Sequence, residues 1–132
     1  VIPPENVPLT DMGWEIYPQA FTELLTSLNE KYQLPPIYIT ENGCAMPDTI
    51  ENDQVDDQNR IAYYQQHLNA LHDAIEQGVN VKGYFAWSLM DNFEWALGYS
   101  KRFGIVYVDY ETQQRTVKAS GQAYSDLLAQ RS

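Results

Sequence analysis

Cysteine and histidine are scarce in this 132-residue chain, which has one cysteine and two histidines. The single cysteine, Cys44, excludes an internal disulfide and a zinc site built only from cysteines. His67 and His72 are five residues apart on a predicted helix, a spacing that does not suit two ligands on one face. The sequence therefore predicts no metal site, and we expect no cofactor.

Long apolar runs and positive charge are lacking as well. No uninterrupted apolar run approaches the roughly 18 residues that a membrane-spanning helix needs. Eight Lys and Arg stand against eighteen Asp and Glu, which gives a formal net charge of −10. Such a chain would be repelled by the phosphates of a nucleic acid. We therefore expect neither a membrane nor a nucleic acid as partner, and we interpret the acidity as that of a solvated surface.

The chain begins with the letters VIPP, which include neither an initiator Met nor a signal-peptide pattern. We expect the chain to be cut from a larger protein, with a cytoplasmic origin favoured over a secreted one. Aromatic and apolar residues are plentiful, since 44% of the residues are hydrophobic and ten are Tyr. This composition excludes a disordered chain, and the length allows one domain with its own core.

Helices and strands alternate along the predicted chain. Apolar residues recur three and four apart in three segments, which predicts helices over residues 18–32, 61–75 and 117–129. Their inward residues should include Leu24, Tyr32 and Leu128. Short β-branched and aromatic runs predict strands at 37–40 and 81–89, and a short extended segment at 104–109. Residues 44–57 lack periodicity, which predicts a surface loop.

Two strands joined by a helix form a parallel βαβ unit, because antiparallel neighbours would need only a tight turn. The pattern fits either a doubly wound sheet or an eight-stranded barrel. Two strands are too few for either architecture, and both would have open edges.

Functional groups of parallel α/β folds gather where the strands end. Here those positions are Glu41 and Trp87. A carboxylate that closes an apolar strand is costly unless it is hydrogen-bonded or used, so Glu41 either binds the amides of the next turn or is catalytic.

The loop over residues 91–95 places Glu94 between two aromatic residues, Phe93 and Trp95. Indole faces stack on the apolar faces of a sugar ring, while carboxylates accept hydrogen bonds from its hydroxyls. The loop therefore predicts a sugar site, although its aromatics could equally well be core residues.

Three stretches in order resemble signatures of glycoside hydrolase family 1, the β-glucosidase family. They are residues 39–43 (ITENG), 87–95 (WSLMDNFEW) and 101–109 (KRFGIVYVD), preceded by 13–18 (GWEIYP). The resemblance implies an α/β fold, the C-terminal part of a (β/α)8 TIM barrel. Residues 1–132 would carry helix 6, strand 7, helix 7, strand 8 and helix 8 of a single barrel domain.

By this resemblance the activity is retaining hydrolysis of a terminal, unphosphorylated β-linked sugar such as a β-glucoside. Glu41 matches the family's nucleophile. Residues that match its sugar-binding positions are Trp87, Glu94, Trp95 and Phe103. The family's acid/base carboxylate lies in an Asn-Glu-Pro motif that is absent from residues 1–132. The expected partner is therefore the N-terminal portion of the same barrel, and the chain alone should be inactive. A non-catalytic sugar-binding or interaction module and a phospho-β-glycosidase are the alternatives.

Overall fold

A computed structural model describes residues 5–130 of the chain. Its elements are α1 (Pro18–Lys31), β1 (Ile37–Asn42), α2 (Gln58–Glu76), β2 (Val81–Ala86), β3 (Val106–Val108), β4 (Arg115–Val117) and α3 (Ala119–Ala129). One turn of 3-10 helix, Trp95–Leu97, lies between β2 and β3. Residues 1–4 and the last two residues lie outside the described residues.

Strands β1 and β2 are parallel neighbours, and α2 connects them. The predicted βαβ unit is confirmed. Helices α1 and α2 cover one face of the pair, where Ile37, Ile39 and Val81 pack against a core of Leu25, Leu71, Ala74 and Val79. The opposite face is open, and Tyr38 and Phe85 are exposed on it. No helix within residues 5–130 is long and apolar enough to cross a membrane.

Helix α1 starts at Pro18, the first residue of the predicted helix, and ends at Lys31, ahead of Pro35 and Pro36. Its inward stripe is narrower than predicted. Leu25 is buried, whereas Leu24 is 57% exposed and Tyr32 is also exposed. Helix α1 packs on α2, where Thr22 Oγ1 donates to the carbonyl of Ala70 at 2.7 Å. Among the described residues, nothing covers the side that carries Leu24.

The region around the predicted final helix differs from the prediction. Residues 115–117 form β4, which pairs antiparallel with β3, so α3 begins at Ala119 instead of Val117. The connecting turn is stabilised by the Asp109 carboxylate, which accepts the N–H groups of Glu111 and Thr112. Leu128, predicted to point inward, is half exposed. A three-residue strand is too short for its alternation to be recognised in sequence.

Residues 44–57 are not simply a surface loop. Cys44, Ala45 and Met46 are buried, and Cys44 and Met46 form a second core with Tyr63, Tyr64 and Ile105. The segment therefore passes under the chain that follows β2 before it returns to the surface. Its lack of periodicity reflects irregular backbone, which can be buried when its polar groups are bonded.

Strand β2 ends at Ala86, three residues earlier than predicted. Beyond Trp87, whose N–H still bonds Asn42 of β1, the backbone bonds a different segment. Ser88 N donates to the carbonyl of Phe103 at 3.1 Å, and Ile105 N donates to the carbonyl of Ser88 at 2.9 Å. The apolar run continues through this change of partner, so composition alone could not locate the end of the strand.

Candidate active site

Glu41 lies one residue before the end of β1, at an irregularity in the pairing with β2. Ile39 is opposite Tyr84 and Asn42 is opposite Ala86, so two residues of β1 face the single Phe85 of β2. This count defines a β-bulge, a feature that re-aims side chains and is frequent beside active sites. The bulge consists of Thr40 and Glu41, and both are exposed.

The bulge decides which face of the sheet carries the carboxylate. Side chains alternate along a regular strand, so Glu41 would share the helix-covered face of Ile39. The extra residue instead moves Asn42 to that covered face, where it is half-buried, and leaves Glu41 on the open face. Among residues 5–130, the Glu41 carboxylate accepts no hydrogen bond, so it does not bind the amides of the following turn. That alternative for Glu41 is not what the structure shows.

Trp87 is held directly beside this strand end. Its backbone N–H donates to the carbonyl of Asn42 at 2.8 Å, and its own carbonyl accepts the hydroxyl of Tyr64 at 3.1 Å. A Cβ added to Gly43 would overlap that carbonyl oxygen, so the close approach requires glycine. The Trp87–Ser88 peptide bond is cis. The structure thus brings together the two strand ends that the sequence singled out, and the indole is partly exposed.

Glu94 and Trp95 lie in the loop that follows. A hydrogen bond from Glu94 N to the carbonyl of Gly98, at 2.6 Å, closes a turn around the short helix. Phe93 and Tyr99 meet edge to face at the base of the loop, with ring centroids 5.5 Å apart. The Trp95 side chain is 83% exposed, so it is not a core residue within the described chain. No hydrogen bond or ion pair among the described residues joins this loop to Glu41.

Phe103 differs from the other predicted sugar-binding residues because it is only 3% exposed. Its ring lies 6.2 Å from that of Trp14, measured between centroids. Phe103 therefore serves as a packing residue in the described chain, and its role in a sugar pocket stays a prediction.

A buried cluster of charges, which sequence reasoning missed, stabilises the loops around the site. It contains three carboxylates and three cations: Asp48, Asp57, Asp91, Arg60, Arg102 and Lys118. The Arg60 guanidinium makes a bidentate pair with Asp48 at 2.9 and 2.7 Å, binds Asp57, and donates to the carbonyl of Arg102 at 2.8 Å. Burial opposes the charge of Arg60, but Asp48 and Asp57 outweigh it and raise the pKa of Arg60.

The other half of the cluster is centred on Asp91. Its carboxylate accepts Lys118 Nζ at 2.8 Å, Arg102 at 2.6 Å and the backbone N–H of Gly104 at 2.9 Å. Lys118 Nζ also reaches Asp48 at 2.5 Å and so joins the two halves. Burial lowers the pKa of Lys118, with Arg60 adding to the effect while Asp48 and Asp91 oppose it. Opposite charges are thus matched one for one in a site that excludes water.

Asn42 forms a smaller polar cluster immediately next to Glu41. Tyr84 donates its hydroxyl proton to Asn42 Oδ1 at 2.7 Å, and Asn42 Nδ2 donates to the Tyr63 hydroxyl at 3.3 Å. Burial raises the pKa of Tyr63 to about 12 and raises the pKa of Tyr84 further. Both phenols are therefore neutral near pH 7.

The described residues offer no metal centre, since no three of their His, Cys, Asp or Glu side chains are grouped suitably. The carboxylates that do converge, Asp48, Asp57 and Asp91, are already neutralised by Arg and Lys. The strand ends offer one accessible carboxylate, Glu41, with Trp87 held beside it by a backbone hydrogen bond.

A family model described as glycosyl hydrolase family 1 matches residues 3–132. The chain belongs to glycosyl hydrolase family 1. Among its family relatives, β-glucosidase A of Thermotoga maritima is 55% identical over 93% of this chain and 28% of its own length. The 6-phospho-β-galactosidase 1 of Streptococcus pneumoniae strain R6 is 50% identical over 87% of this chain and 25% of its own length.

Solved structures agree with the family assignment. The family 1 β-glucosidase from Thermotoga maritima in complex with isofagomine lactam is 53% identical and superposes with a TM-score of 0.93. The match covers 96% of this chain and 29% of that one. The predicted fold class, the C-terminal part of a (β/α)8 barrel, is confirmed. The chain spans less than a third of the length of these relatives.

Proposed function

We propose that this chain belongs to a retaining β-glycosidase and supplies its nucleophile, Glu41. The observation that carries the proposal is the bulge, which leaves an unpartnered carboxylate on the open face of the sheet where β1 ends. The same strand end holds Trp87 through a backbone hydrogen bond. A carboxylate that only stabilised the fold would be bonded to nearby N–H groups, and among the described residues this one is not.

The reaction follows from one nucleophilic and one protonated carboxyl group. A Glu41 oxygen attacks the anomeric carbon while the second group donates its proton to the departing oxygen, which gives a glycosyl ester and a free alcohol. Water then attacks the same carbon, gives a proton back to the second group and releases Glu41. Two displacements keep the sugar's configuration, and they require carboxyl groups about 5–5.5 Å apart.

The second carboxyl group must come from outside residues 1–132, which contain no Asn-Glu-Pro motif. We assign it to the N-terminal portion of the same barrel domain. Within residues 5–130 the outer edges of β1 and β2 are unpaired, and Tyr38 and Phe85 are exposed on the open sheet face. Both features suit a partner that adds further strands. The chain alone would then hold only half of the catalytic machinery.

The substrate we assign is an unphosphorylated, terminal β-linked sugar. Trp87 and Trp95 would stack on the ring and Glu94 would accept hydrogen bonds from its outer hydroxyls, where a carboxylate would repel a 6-phosphate. The similarity to a 6-phospho-β-galactosidase makes the phosphorylated sugar a second candidate. Lys101, the cation that could bind a phosphate, is instead paired with Asp11 at 3.0 Å. Rates on nitrophenyl β-glucoside and its 6-phosphate decide the matter, and faster cleavage of the phosphorylated compound would overturn our assignment.

The test of the nucleophile uses a fused barrel, in which residues 1–132 replace the matching segment of the Thermotoga maritima β-glucosidase A. A 2-deoxy-2-fluoroglucoside with a dinitrophenyl leaving group traps the glycosyl ester, and peptide mapping locates it. We expect the label on Glu41, and we expect Glu41→Gln to lower turnover by several orders of magnitude. Glu51→Gln, the same change at an exposed loop residue, is the matched control and should retain activity. Label on any other carboxylate would reject the assignment. A well-folded fused barrel with no activity would favour a non-catalytic module.

A further inference from the structure

Asn42 is the residue through which the two strand ends contact each other. Its carbonyl accepts the N–H of Trp87 at 2.8 Å, and its side chain is bonded by a tyrosine on each side, Tyr84 from β2 and Tyr63 from α2. We propose that Asn42, clamped between Tyr63 and Tyr84, is the positioning residue that maintains the bulge and thereby aims Glu41 at the sugar. The inference rests on the proposed role of Glu41 as nucleophile.

The bulge needs such a device because a regular strand is the alternative. If the bulge relaxed into a regular strand with the same residues, alternation would turn the Glu41 side chain onto the helix-covered face and the Asn42 side chain onto the open one. A buried, uncompensated carboxylate would be costly on that face, but this penalty alone specifies no geometry. Bonds that only the bulged strand can make are needed to hold the carboxylate in one place.

The clamp supplies these bonds from two elements other than β1, namely β2 and α2. Tyr84 is on the neighbouring strand β2. It precedes by two residues Ala86, which pairs with Asn42 across the sheet. Tyr63 is on α2, where its ring stacks on His67 at 3.9 Å between centroids and meets the ring of Tyr64 edge to face. Tyr84 packs against both apolar cores, so packing holds both phenols, and an amide that bonds both is restrained from two sides.

The chemistry of the clamp favours an amide over a carboxylate. The amide of Asn42 offers an oxygen that accepts from Tyr84 and a nitrogen that donates to Tyr63. Because burial raises the pKa values of both tyrosines, each hydroxyl keeps its proton in the pH range where a glycosidase works. A carboxylate at this position could only accept, and it would add a second negative charge next to Glu41.

The experiment measures how fast Glu41 reacts in each correctly folded active site of the fused barrel. The probe is the dinitrophenyl 2-deoxy-2-fluoroglucoside, whose leaving group needs no acid assistance, so the rate reports the nucleophile. The released dinitrophenol counts the active sites and corrects for misfolded protein. We expect Asn42→Ala to slow labelling at saturating probe by about 10²-fold, the cost of a misplacement near 1 Å. Tyr84→Phe, which removes one bond and keeps the ring, should slow it by about tenfold.

Two comparisons separate positioning from stability. Thr22→Val removes a 2.7 Å hydrogen bond between α1 and α2, so it should lower the melting temperature but leave the labelling rate unchanged. If Tyr84 acts through Asn42, the double variant should label no more slowly than Asn42→Ala alone. Tyr63→Phe gives a second conservative test should Asn42→Ala fail to fold.

The outcomes discriminate between the two proposals. Wild-type labelling rates in both Tyr84→Phe and Tyr63→Phe would overturn the clamp and leave Glu41 as the nucleophile. Fully additive losses in the double variant would likewise overturn it, because Tyr84 would then act independently of Asn42. Label on another carboxylate in the fused barrel with no substitution would instead overturn the proposed nucleophile, and the clamp with it.

Discussion

Replacing Lys118 with methionine should destabilise the barrel more than any change to an exposed charge. The side chain of Lys118 is fully buried, and it bonds Asp48 at 2.5 Å and Asp91 at 2.8 Å. Methionine has a similar shape but no charge. The variant would therefore keep three buried carboxylates with only two cations, Arg60 and Arg102.

The expected cost follows from that imbalance. Removing one partner of a buried ion pair leaves an uncompensated charge and costs about 3–5 kcal/mol. At about 2 °C per kcal/mol, the value for a large domain, the melting temperature should fall by about 6–10 °C.

Scanning calorimetry or a dye-based melt of the fused barrel measures the effect. Lys101→Met is the matched control, because Lys101 pairs with Asp11 at 3.0 Å in a site that is partly exposed on both sides. An exposed pair of this kind contributes about 0–1 kcal/mol. Equal melting temperatures for the Lys118 and Lys101 variants would refute the reasoning and would mean that water or relaxation compensates the buried carboxylates.

Three further predictions concern the sugar site, the buried thiol and the missing portion of the barrel. Trp95→Ala should weaken binding of isofagomine lactam to the fused barrel, measured by calorimetric titration, with little change in melting temperature, because the Trp95 side chain is 83% exposed. Unchanged binding with a lower melting temperature would instead favour a core role. Cys44 should not react with a thiol reagent at pH 8 in the native protein and should react once unfolded, because burial raises its pKa to about 12; fast native labelling would contradict this. The stability that this pKa shift contributes is fully present below pH 9, the pKa of the thiol in the unfolded chain, and should decline towards pH 12. Cys44→Ala should reduce this decline when melting temperatures are measured at alkaline pH. Residues 1–132 expressed alone should not cleave nitrophenyl β-glucoside, since general acid catalysis is worth about 10²–10⁴-fold, and should gain activity when the N-terminal portion is added. Full turnover by the chain alone would show that a carboxyl group within residues 1–132, such as Glu94, supplies the proton.

Much of this protein can be inferred from local patterns. The alternation of helices and strands follows from spacings of three and four and from short β-branched runs, and these depend only on neighbouring residues. The strand-end positions of Glu41 and Trp87 follow in turn, because a parallel βαβ unit places both strand ends at one edge. The family resemblance rests on the same local stretches, and the family assignment confirms it.

Other features depend on contacts between distant residues. Asp48 and Lys118 are 70 positions apart, and nothing in either segment shows that a buried ion pair joins them. The buried ring of Phe103 lies 6.2 Å from that of Trp14, measured between centroids, and the two residues are far apart in sequence. Asp and Lys side chains are ordinarily exposed, so only the packed structure assigns Asp48 and Lys118 to the interior.

The direction of Glu41 is the clearest case of this difference. Its identity and its place at the end of a strand can be read from the sequence, but simple alternation would put it on the face shared by Ile39. The bulge at Thr40 and Glu41 reverses that outcome, and it depends on pairing with β2 and on tyrosines 21 and 42 residues beyond Asn42. A strand's own residues determine that it alternates, whereas its neighbours determine where the alternation is interrupted.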